Sequence, residues 1–443
     1  MEEDKLLELP LRLDENLLLR WGRPEDAEAL AEFNILQHSD NPPEREEWLG
    51  DWTRDLLSGR HPTTSAKEFT VVEEITSGKI VSSQVLIPQT WYYEDIPFGV
   101  GRPELVGTDK AYRRRGLIRL QMDIAHALSS QMGHLVQAIT GIPWFYRQFG
   151  YEMTLNLGGG REFFWDRPGN DKPVEKETYQ IRPAVIDDVP VLIDLYRAHA
   201  SGSLIMRARS DDIWRYELAG AHLESEAHLN AFLIIDSAGK PLAYVVFSQR
   251  GKAFTVTELG VLPGHSWRSA ALFVTRELKR RADVANRERE KAISHIVFPF
   301  ADTHPAIRAL GTQLEKRRNA YSWFIRVPDL ARFIEHIKPV LERRLAGSVM
   351  AGHSGTLRLN FYTDTLKLTF EEGALTEIGR YQPDDIEDSD AQFPDLTFLQ
   401  MLFGHRSYDE LDRAFPDLFA DAEAIVLLGA LFPKRPSYIR GLN

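Results

Sequence analysis

The sequence predicts a mixed α/β (α+β) protein that is divided into three parts. Short apolar strands alternate with helices whose apolar residues recur every three or four positions. A polar stretch rich in proline and charge, residues 166–177, separates the first two parts, and the composition changes again near Val327. With 443 residues and roughly 150 residues per domain, we expect three domains, at residues 1–165, 178–327 and 328–443.

Composition is that of an ordinary globular protein and excludes several kinds of chemistry. Hydrophobic residues make up 43% and the net charge is −12, and this acidic balance argues against a general nucleic-acid binder. Cysteine is absent, which excludes disulfides, a thiol nucleophile and Cys-ligated metals. No His-Glu-x-x-His pair supports a catalytic metal. The start resembles no signal peptide, and the longest apolar run, Ala424–Phe432, is too short to span a bilayer. We therefore expect a cytoplasmic protein without a metal or a membrane span.

The first part is predicted to open with a strand that leads into a helix. Leu18–Arg20 precedes a Pro-Glu-Asp turn, after which apolar residues continue at helical spacing from Ala27 to Phe33. The pattern then predicts strands at Phe69–Glu73 and Lys79–Ile87, a strand within Pro97–Thr108, a helix from Leu117 to Leu128, a strand at Leu135–Ile139, helical turns at Trp144–Gln148 and a last strand at Arg161–Trp165.

The second part repeats the opening of the first. In Tyr179–Asp188, as in Leu18–Asp26, a strand, an arginine and an acidic pair precede an apolar-periodic helix. This similarity predicts an internal duplication. Further strands are expected at Ala231–Ile235, Pro241–Ser248 and Val256–Val261, followed by a helix at Ala270–Arg281.

The third part is predicted to combine a small sheet with several helices. Its elements are a helix at Leu330–Leu345, strands at Gly355–Tyr362 and Leu366–Phe370, and helices at Leu396–Phe403, Ser407–Ala414 and Ala422–Leu431. The acidic stretch Gln382–Asp395 lacks the glycine and closing glutamate of a calcium-binding EF-hand. It is therefore interpreted as a solvated loop.

The run from Thr108 to Arg119 contains the first candidate site. A strand passes through a basic turn, Arg113–Arg115, and through Gly116 directly into an amphipathic helix. Unpaired backbone N–H groups and the helix dipole favour an anion at such a helix start. The turn therefore suits a pyrophosphate. Taken alone, three arginines in a turn are equally typical of a solvated surface.

About thirty residues further on, Phe145–Tyr151 contains the second candidate element. A short helix is expected to end at Gly150 and to lead into a strand, with aromatic residues on both sides of the turn. By itself, a tyrosine such as Tyr146 is more often a core aromatic with a satisfied hydroxyl than a catalytic acid. The occurrence of both elements at this separation is what favours a site.

Together the two elements resemble the GNAT superfamily of acetyl-CoA-dependent N-acetyltransferases. Arg113–Ile118 is similar to that family's Arg/Gln-x-x-Gly-x-Gly/Ala pyrophosphate loop, although Ile118 stands where most members carry Gly or Ala. The Arg-Arg-Arg-Gly-Leu prefix and the Phe-Tyr-x-x-Phe-Gly-Tyr string are similar to one branch, the enhanced intracellular survival (Eis) acetyltransferases. This resemblance implies tandem GNAT-like domains, the second degenerate, followed by an α+β domain like sterol carrier protein. In the second unit Leu262–Arg268 lacks the cofactor loop, which implies one acetyl-CoA per chain.

The resemblance also implies roles for individual residues. Tyr146 would be the general acid, and the α-carboxylate of Asn443 would be the general base, as in the Eis branch. That branch usually ends in an aromatic residue, whereas this sequence ends in Asn443. Three explanations stay open: the terminal carboxylate works with Asn, this end of the sequence is trimmed, or a chain of water molecules acts as the base. The implied cofactor-binding residues are Val106, Gly107, Thr108, Arg114, Arg115, Gly116, Leu117, Ile118, Arg119, Gly141 and Ile142.

The expected function is acetyl transfer from acetyl-CoA to a primary amine of aminoglycoside, polyamine or lysine type, without a metal. The amine would attack the thioester directly, which agrees with the absence of cysteine. Eis-like enzymes also imply a homo-oligomer, commonly a hexamer. Two alternatives stay open: a catalytically silent lipid-binding or scaffolding protein that uses the third domain, and a GNAT enzyme that transfers another acyl group.

Overall fold

The computed structural model describes residues 3–39, 45–166, 177–385 and 388–441. Their strands form three sheets. Residues 167–176 of the predicted linker, residues 386–387 of the acidic loop, and Asn443 lie outside the described residues.

The first sheet has nine strands in the order β1-β2-β3-β4-β5-β6-β16-β7, with β10 paired to β4 beside that path. Four helices belong to the same part of the chain: α1 (Glu3–Leu6), α2 (Ala27–His38), α3 (Glu47–Leu57) and α4 (Leu117–Gln131). The strands are β1 (Leu11–Arg12), β2 (Leu17–Trp21), β3 (Phe69–Glu74), β4 (Lys79–Tyr93), β5 (Ile96–Thr108), β6 (Val136–Ile139), β7 (Glu152–Leu157), β10 (Ile205–Arg207) and β16 (Tyr321–Arg326).

The second sheet has seven strands in the order β15-β8-β14-β13-β12-β11-β9. These strands are β8 (Gly160–Phe164), β9 (Gln180–Pro183), β11 (Ala231–Ile235), β12 (Pro241–Arg250), β13 (Ala253–Val261), β14 (His295–Phe298) and β15 (Arg317–Arg318). The helices of this part are α5 (Val189–His199), α6 (Asp211–Arg215), α7 (Trp267–Ala285) and α8 (Pro305–Leu310).

The two large sheets exchange strands. The predicted last strand of the first part forms as β8, but it pairs with β14 of the second sheet, where Phe163 faces Ile296. In return β16, from the end of the second part, lies between β6 and β7 of the first sheet. Each sheet is thus completed by a strand from the other part of the chain.

The predicted internal repeat has a matching local geometry in its two copies. Before α2, Arg20 contacts Asp26 at 2.7 Å, and the same carboxylate accepts a hydrogen bond from the Arg23 backbone. Before α5, Arg182 contacts Asp188 at 2.7 Å, and that carboxylate accepts from the Val185 backbone. In both places the ion pair fixes the turn from strand to helix.

The third part contains a five-stranded sheet in the order β19-β18-β17-β20-β21. Its elements are α9 (Leu330–Ala346), β17 (Gly355–Asn360), β18 (Thr365–Glu371), β19 (Ala374–Gly379), β20 (Ala391–Gln392), α10 (Thr397–Leu402), α11 (Tyr408–Asp412), β21 (Phe419–Ala420) and α12 (Ala422–Leu431). The apolar face of α9 shares one core with Trp91 and Phe98 of the first sheet. This packing joins the third part to the first.

Candidate active site

The first sheet opens where β5 and β6 separate. These parallel strands pair only at Val100 and Gly101 and then diverge. Beyond that point β5 contains a bulge, at which Leu105 takes a φ of +51° and the register with β4 shifts. Bulges near sheet openings re-aim the strand that contains them. The bulge leaves the last residues of β5, from Val106, on the wall of a cleft.

The basic turn forms the opposite wall and leads into α4 through Gly116. Gly116 has a φ of +77°, and no side chain caps the start of the helix. The N–H groups of the first turn are therefore available to an anion. Gln121 is buried one turn further on, and its amide oxygen accepts a hydrogen bond from Ser82 of β4 at 3.1 Å. This contact fixes the helix start against the sheet.

Between these walls lies a cleft of about 540 Å³, which we call the arginine cleft. Arg119 donates to the side chain of Gln148 at 3.0 Å and stacks over Phe149, and it thereby links the two predicted motifs. The residues that line the cleft are Gln37, His38, Val106, Gly107, Thr108, Tyr112, Arg113, Arg114, Gly116, Leu117, Ile118, Arg119, Ile142, Phe145, Tyr146, Gln148 and Phe149.

Two predicted cofactor residues lie outside the cleft wall. Arg115 points away and contacts Asp14 at 3.2 Å. Gly141 lines a neighbouring cavity, although Ile142 next to it lines the cleft. His38, at the end of α2, also lines the cleft. It is not among the predicted site residues, because nothing near it in sequence belongs to a motif.

Tyr146 stands on a short 3₁₀ helix, Phe145–Phe149, which ends at Gly150 with a φ of +82°. Its ring is 5% exposed and packs edge-on against Phe145, Tyr151 and Phe324. Phe324 comes from the exchanged strand β16. The aromatic packing therefore fixes the direction of the phenol, and one of its contacts depends on the strand exchange.

The phenol of Tyr146 is held in its protonated form. Burial raises its pKa, and the nearby charge of Glu104 raises it further. Among the residues that the structure describes, its hydroxyl has no hydrogen-bond partner. A protonated, unengaged hydroxyl on the wall of a cleft can donate a proton to a leaving group there.

A second cavity, of about 690 Å³, lies on the other side of Gly141. A Cβ placed on Gly141 would be 3.5 Å from the Tyr146 hydroxyl, so this glycine separates the phenol from the second cavity. Tyr321 donates to the Gly141 carbonyl at 2.7 Å and fixes the separating turn. Because residues 438–441 form part of its wall, we call this space the tail cavity.

The end of the described chain is held in place along its length. The Leu204 backbone donates to the Pro436 carbonyl at 2.7 Å, and Trp323 donates to the Ile439 carbonyl at 3.3 Å. Arg102, fully buried and paired with Glu104, donates to the Gly441 carbonyl at 2.8 Å. Sequence reasoning missed this Arg102–Glu104 pair. The predicted base, Asn443, lies outside the described residues.

Helix α7, in the second part of the chain, starts differently from α4. Ser266 caps α7, and its side chain accepts the Ser269 N–H at 3.2 Å. A side-chain cap occupies one of the N–H groups that an anion would need. The uncapped start of α4 therefore suits an anion better than the start of α7 does.

The described residues contain neither a metal-binding cluster nor a membrane-spanning helix. No group of three or more His, Asp or Glu side chains is arranged to hold a metal ion within the described ranges. In the same residues, every helix is too short or too polar to cross a bilayer.

Comparisons with known proteins agree with this geometry. Residues 36–154 match the family described as Acetyltransferase (GNAT) domain. A comparison with curated proteins gives no match. Among solved structures, a probable N-acyltransferase from Enterococcus faecalis V583 aligns with a TM-score of 0.68 at 16% identity, over 96% of this chain and 99% of its own.

Two further solved structures show the same fold. A GCN5-related N-acetyltransferase from Anabaena variabilis aligns with a TM-score of 0.64 at 14% identity, over 95% of this chain and 98% of its own. Eis1 from Mycobacterium abscessus aligns with a TM-score of 0.58 at 14% identity, over 96% of this chain and 100% of its own. The matched segment contains both the arginine cleft and Tyr146. The chain therefore carries a GNAT acetyltransferase domain, and the protein is an acyltransferase.

Proposed function

We propose that this enzyme transfers an acetyl group from acetyl-CoA to a primary amine. The observation that carries the proposal is the position of Tyr146, which lines the arginine cleft and whose hydroxyl lies beside Gly141, a residue of the tail-cavity wall. The donor would occupy the arginine cleft and the amine would enter from the tail cavity. Holding both reactants side by side supplies most of the rate advantage through orientation.

On the donor side, the helix start after Gly116 would bind the pyrophosphate of acetyl-CoA. Arg113, Arg114 and Arg119 line the same wall and add positive charge. The backbone of Val106–Thr108, which faces the cleft where β5 leaves β6, would polarise the thioester carbonyl. The uncapped helix start and the arginines fit a group with this charge.

The transfer would take place in one displacement, without an acyl-enzyme. The amine nitrogen bonds to the carbonyl carbon as the carbon–sulfur bond breaks, and Tyr146 gives its proton to the departing sulfur. The ammonium proton passes to a base before or during attack. Because the chain has no cysteine, a thioester intermediate on the protein is excluded.

For the base we propose the α-carboxylate of Asn443, or a water chain in its place. Support comes from the described chain up to Gly441, which Arg102 holds against the first sheet. If the terminal carboxylate is the base, any residues added after Asn443 should abolish turnover and leave acetyl-CoA binding unchanged. A C-terminally tagged enzyme with full kcat would assign the base elsewhere.

The acceptor classes suggested by the Eis resemblance are aminoglycosides, polyamines and lysine-type amines. We extend the proposal to a cytoplasmic homo-oligomer, with the hexamer as the state to test by mass measurement in solution. We also propose, from the resemblance, that the second unit is a degenerate GNAT-like domain and that the third resembles sterol carrier protein.

The lipid-binding alternative requires a tunnel between α9 and α12. Six apolar side chains of α9, from Phe333 to Leu345, have no accessible surface, and Leu428 and Leu431 of α12 also have none. Side chains that line a space wide enough for water would retain some accessible area. These helices therefore pack against the core, and they do not favour lipid transport.

Calorimetric titration with acetyl-CoA, followed by a coenzyme A release assay over a panel of amines, tests the proposal. We expect binding of one acetyl-CoA per chain and amine-dependent release of coenzyme A. Absence of acetyl-CoA binding would contradict the proposal. Faster turnover with another acyl-CoA would mean that the enzyme transfers a different acyl group, and the donor site in the arginine cleft would stand as proposed.

We expect Gly116→Val to raise the KM for acetyl-CoA about tenfold or more. A β-branched residue is strained at a φ of +77° by about 1–2 kcal/mol, and its side chain would enter the open space at the helix start. Gly133→Val is the matched control, because Gly133 lies just after the other end of α4 at a φ of +75° with similar free space. An unchanged KM in Gly116→Val would contradict the donor site.

A further inference from the structure

The walls of the tail cavity carry charges of both signs. Glu224 and Glu226 are acidic, whereas Arg250 and Arg440 are basic. Glu226 contacts Arg250 at 2.8 Å and Arg440 at 3.8 Å, so its charge is compensated within the wall. A purely cationic ligand would meet two arginines here as well as two carboxylates. This distribution favours a ligand that itself has both charges.

Two residues of this wall each have a buried polar atom without a hydrogen-bond partner among the described residues. One atom is Nη1 of Arg440, whose side chain is 16% exposed, and the other is Nδ1 of His228. Burying a polar atom without a partner costs free energy that a bound ligand can return. The other terminal nitrogen of Arg440 donates to the Glu226 backbone at 3.3 Å, which holds the guanidinium against the wall.

The two unpartnered atoms suit the same type of ligand group. Arg440 offers a charged N–H, and His228 offers a second N–H in the tautomer that has its proton on Nδ1. Both would donate to an oxygen anion. Because Glu224 adds a further negative charge to this wall, a doubly charged phosphate would be repelled more strongly than a singly charged carboxylate.

We propose that Arg440 and His228 form a carboxylate-binding subsite in the tail cavity, and that the acceptor is an amino carboxylate. This inference rests on the proposed function, because it places the acceptor amine near Tyr146 and the acceptor carboxylate at Arg440. Among the suggested acceptors, free lysine and related amino acids have such a group. Polyamines and aminoglycosides lack a carboxylate and would leave both buried atoms unpaired.

The test compares matched acceptors in the coenzyme A release assay with the full-length enzyme. The panel contains lysine and a series of ω-amino carboxylates of increasing chain length, each beside the carboxamide of the same length. We expect kcat/KM for the carboxylate to exceed that for its amide by about tenfold or more at the best length. Amides that are equally good at every length would overturn the carboxylate subsite and leave acetyl transfer standing. Absence of release with every amine would instead overturn the proposed function and this inference with it.

Variants distinguish two roles of Arg440, which are binding the carboxylate of the acceptor and holding the end of the chain in place. Arg440→Met and His228→Gln should each bring the acid-to-amide ratio close to one, because kcat/KM falls more for the carboxylate than for the amide. Arg440→Lys should restore part of the preference, because it retains the charge. Arg197→Met, at an exposed arginine paired with Asp194, should leave the ratio unchanged. An equal loss on acid and amide in Arg440→Met would assign this residue to holding the chain end and contradict the subsite.

Discussion

Tyr146→Phe is expected to lower kcat by roughly 10²–10⁴-fold while the affinity for acetyl-CoA changes little. The substitution removes only the hydroxyl, so the aromatic packing against Phe145 and Phe324 remains. Burial raises the pKa of this phenol above its ordinary value of 10.0. The wild-type enzyme should therefore lose no activity through ionisation of Tyr146 at any pH below 10.

Steady-state kinetics and acetyl-CoA titration check this expectation together. Tyr151→Phe is the matched control, because Tyr151 is buried in the same motif and its hydroxyl is bonded to His126 at 2.8 Å instead of facing the cleft. An unchanged kcat in Tyr146→Phe would remove the residue from the mechanism. A loss of equal size in both variants would show that packing of the motif, and not proton donation, limits the rate.

The largest effect on stability is expected for Arg209→Met, at about 3–5 kcal/mol. The side chain of Arg209 is 2% exposed and forms a bidentate pair with Glu258, at 2.6 and 3.0 Å. It also lies 3.3 Å from Glu217 and stacks on Trp214. Its removal would leave Glu258 buried without a cation, whereas Arg215→Met, at an exposed helical pair, should cost less than about 1 kcal/mol.

Urea unfolding of the wild type and of Arg209→Met at several pH values measures the difference in their free energies of unfolding and shows how that difference changes with pH. Burial alone would raise the pKa of Glu258, but the charge and hydrogen bonds of Arg209 outweigh burial and lower it. A lowered carboxyl pKa stabilises the fold above the ordinary value of 4.5, and that stabilisation is lost as the pH falls below it. The wild type should therefore converge towards Arg209→Met on acidification. A constant difference between them down to pH 4 would contradict the role of the ion pair.

Local patterns predicted the elements around the site. The apolar spacing from Leu117 predicts α4, and glycine at position 150 predicts the end of the short helix that contains Tyr146. These elements follow from interactions between near neighbours in sequence. Strand β4 continues to Tyr93, beyond the predicted end at Ile87, because Pro88 does not interrupt the strand. Beyond this proline, at Trp91–Tyr93, β4 also pairs with β10. A proline is therefore an unreliable signal for the end of a strand.

Other features depend on contacts between distant residues, which the sequence pattern does not contain. Helix α3 was missed, although its buried face includes Trp52 and Leu56. The insertion of β16 beside β6 joins residues nearly two hundred positions apart, such as Phe324 and Ile139. The Arg102–Gly441 hydrogen bond is a contact of the same kind. Periodicity in the sequence predicts an element, and the partner of that element is determined by tertiary packing.

The exchange of β8 and β16 means that this enzyme cannot be shortened to its transferase domain. A fragment that ends before residue 167 would have no strand between β6 and β7, would lose the Phe324 contact with Tyr146, and would display β8 as an unpaired edge. Such an edge promotes aggregation of the fragment. If the first and second parts were expressed as separate chains, activity would require the two chains to associate and exchange these strands. An insertion or deletion in one part must therefore preserve the strand that it contributes to the sheet of the other.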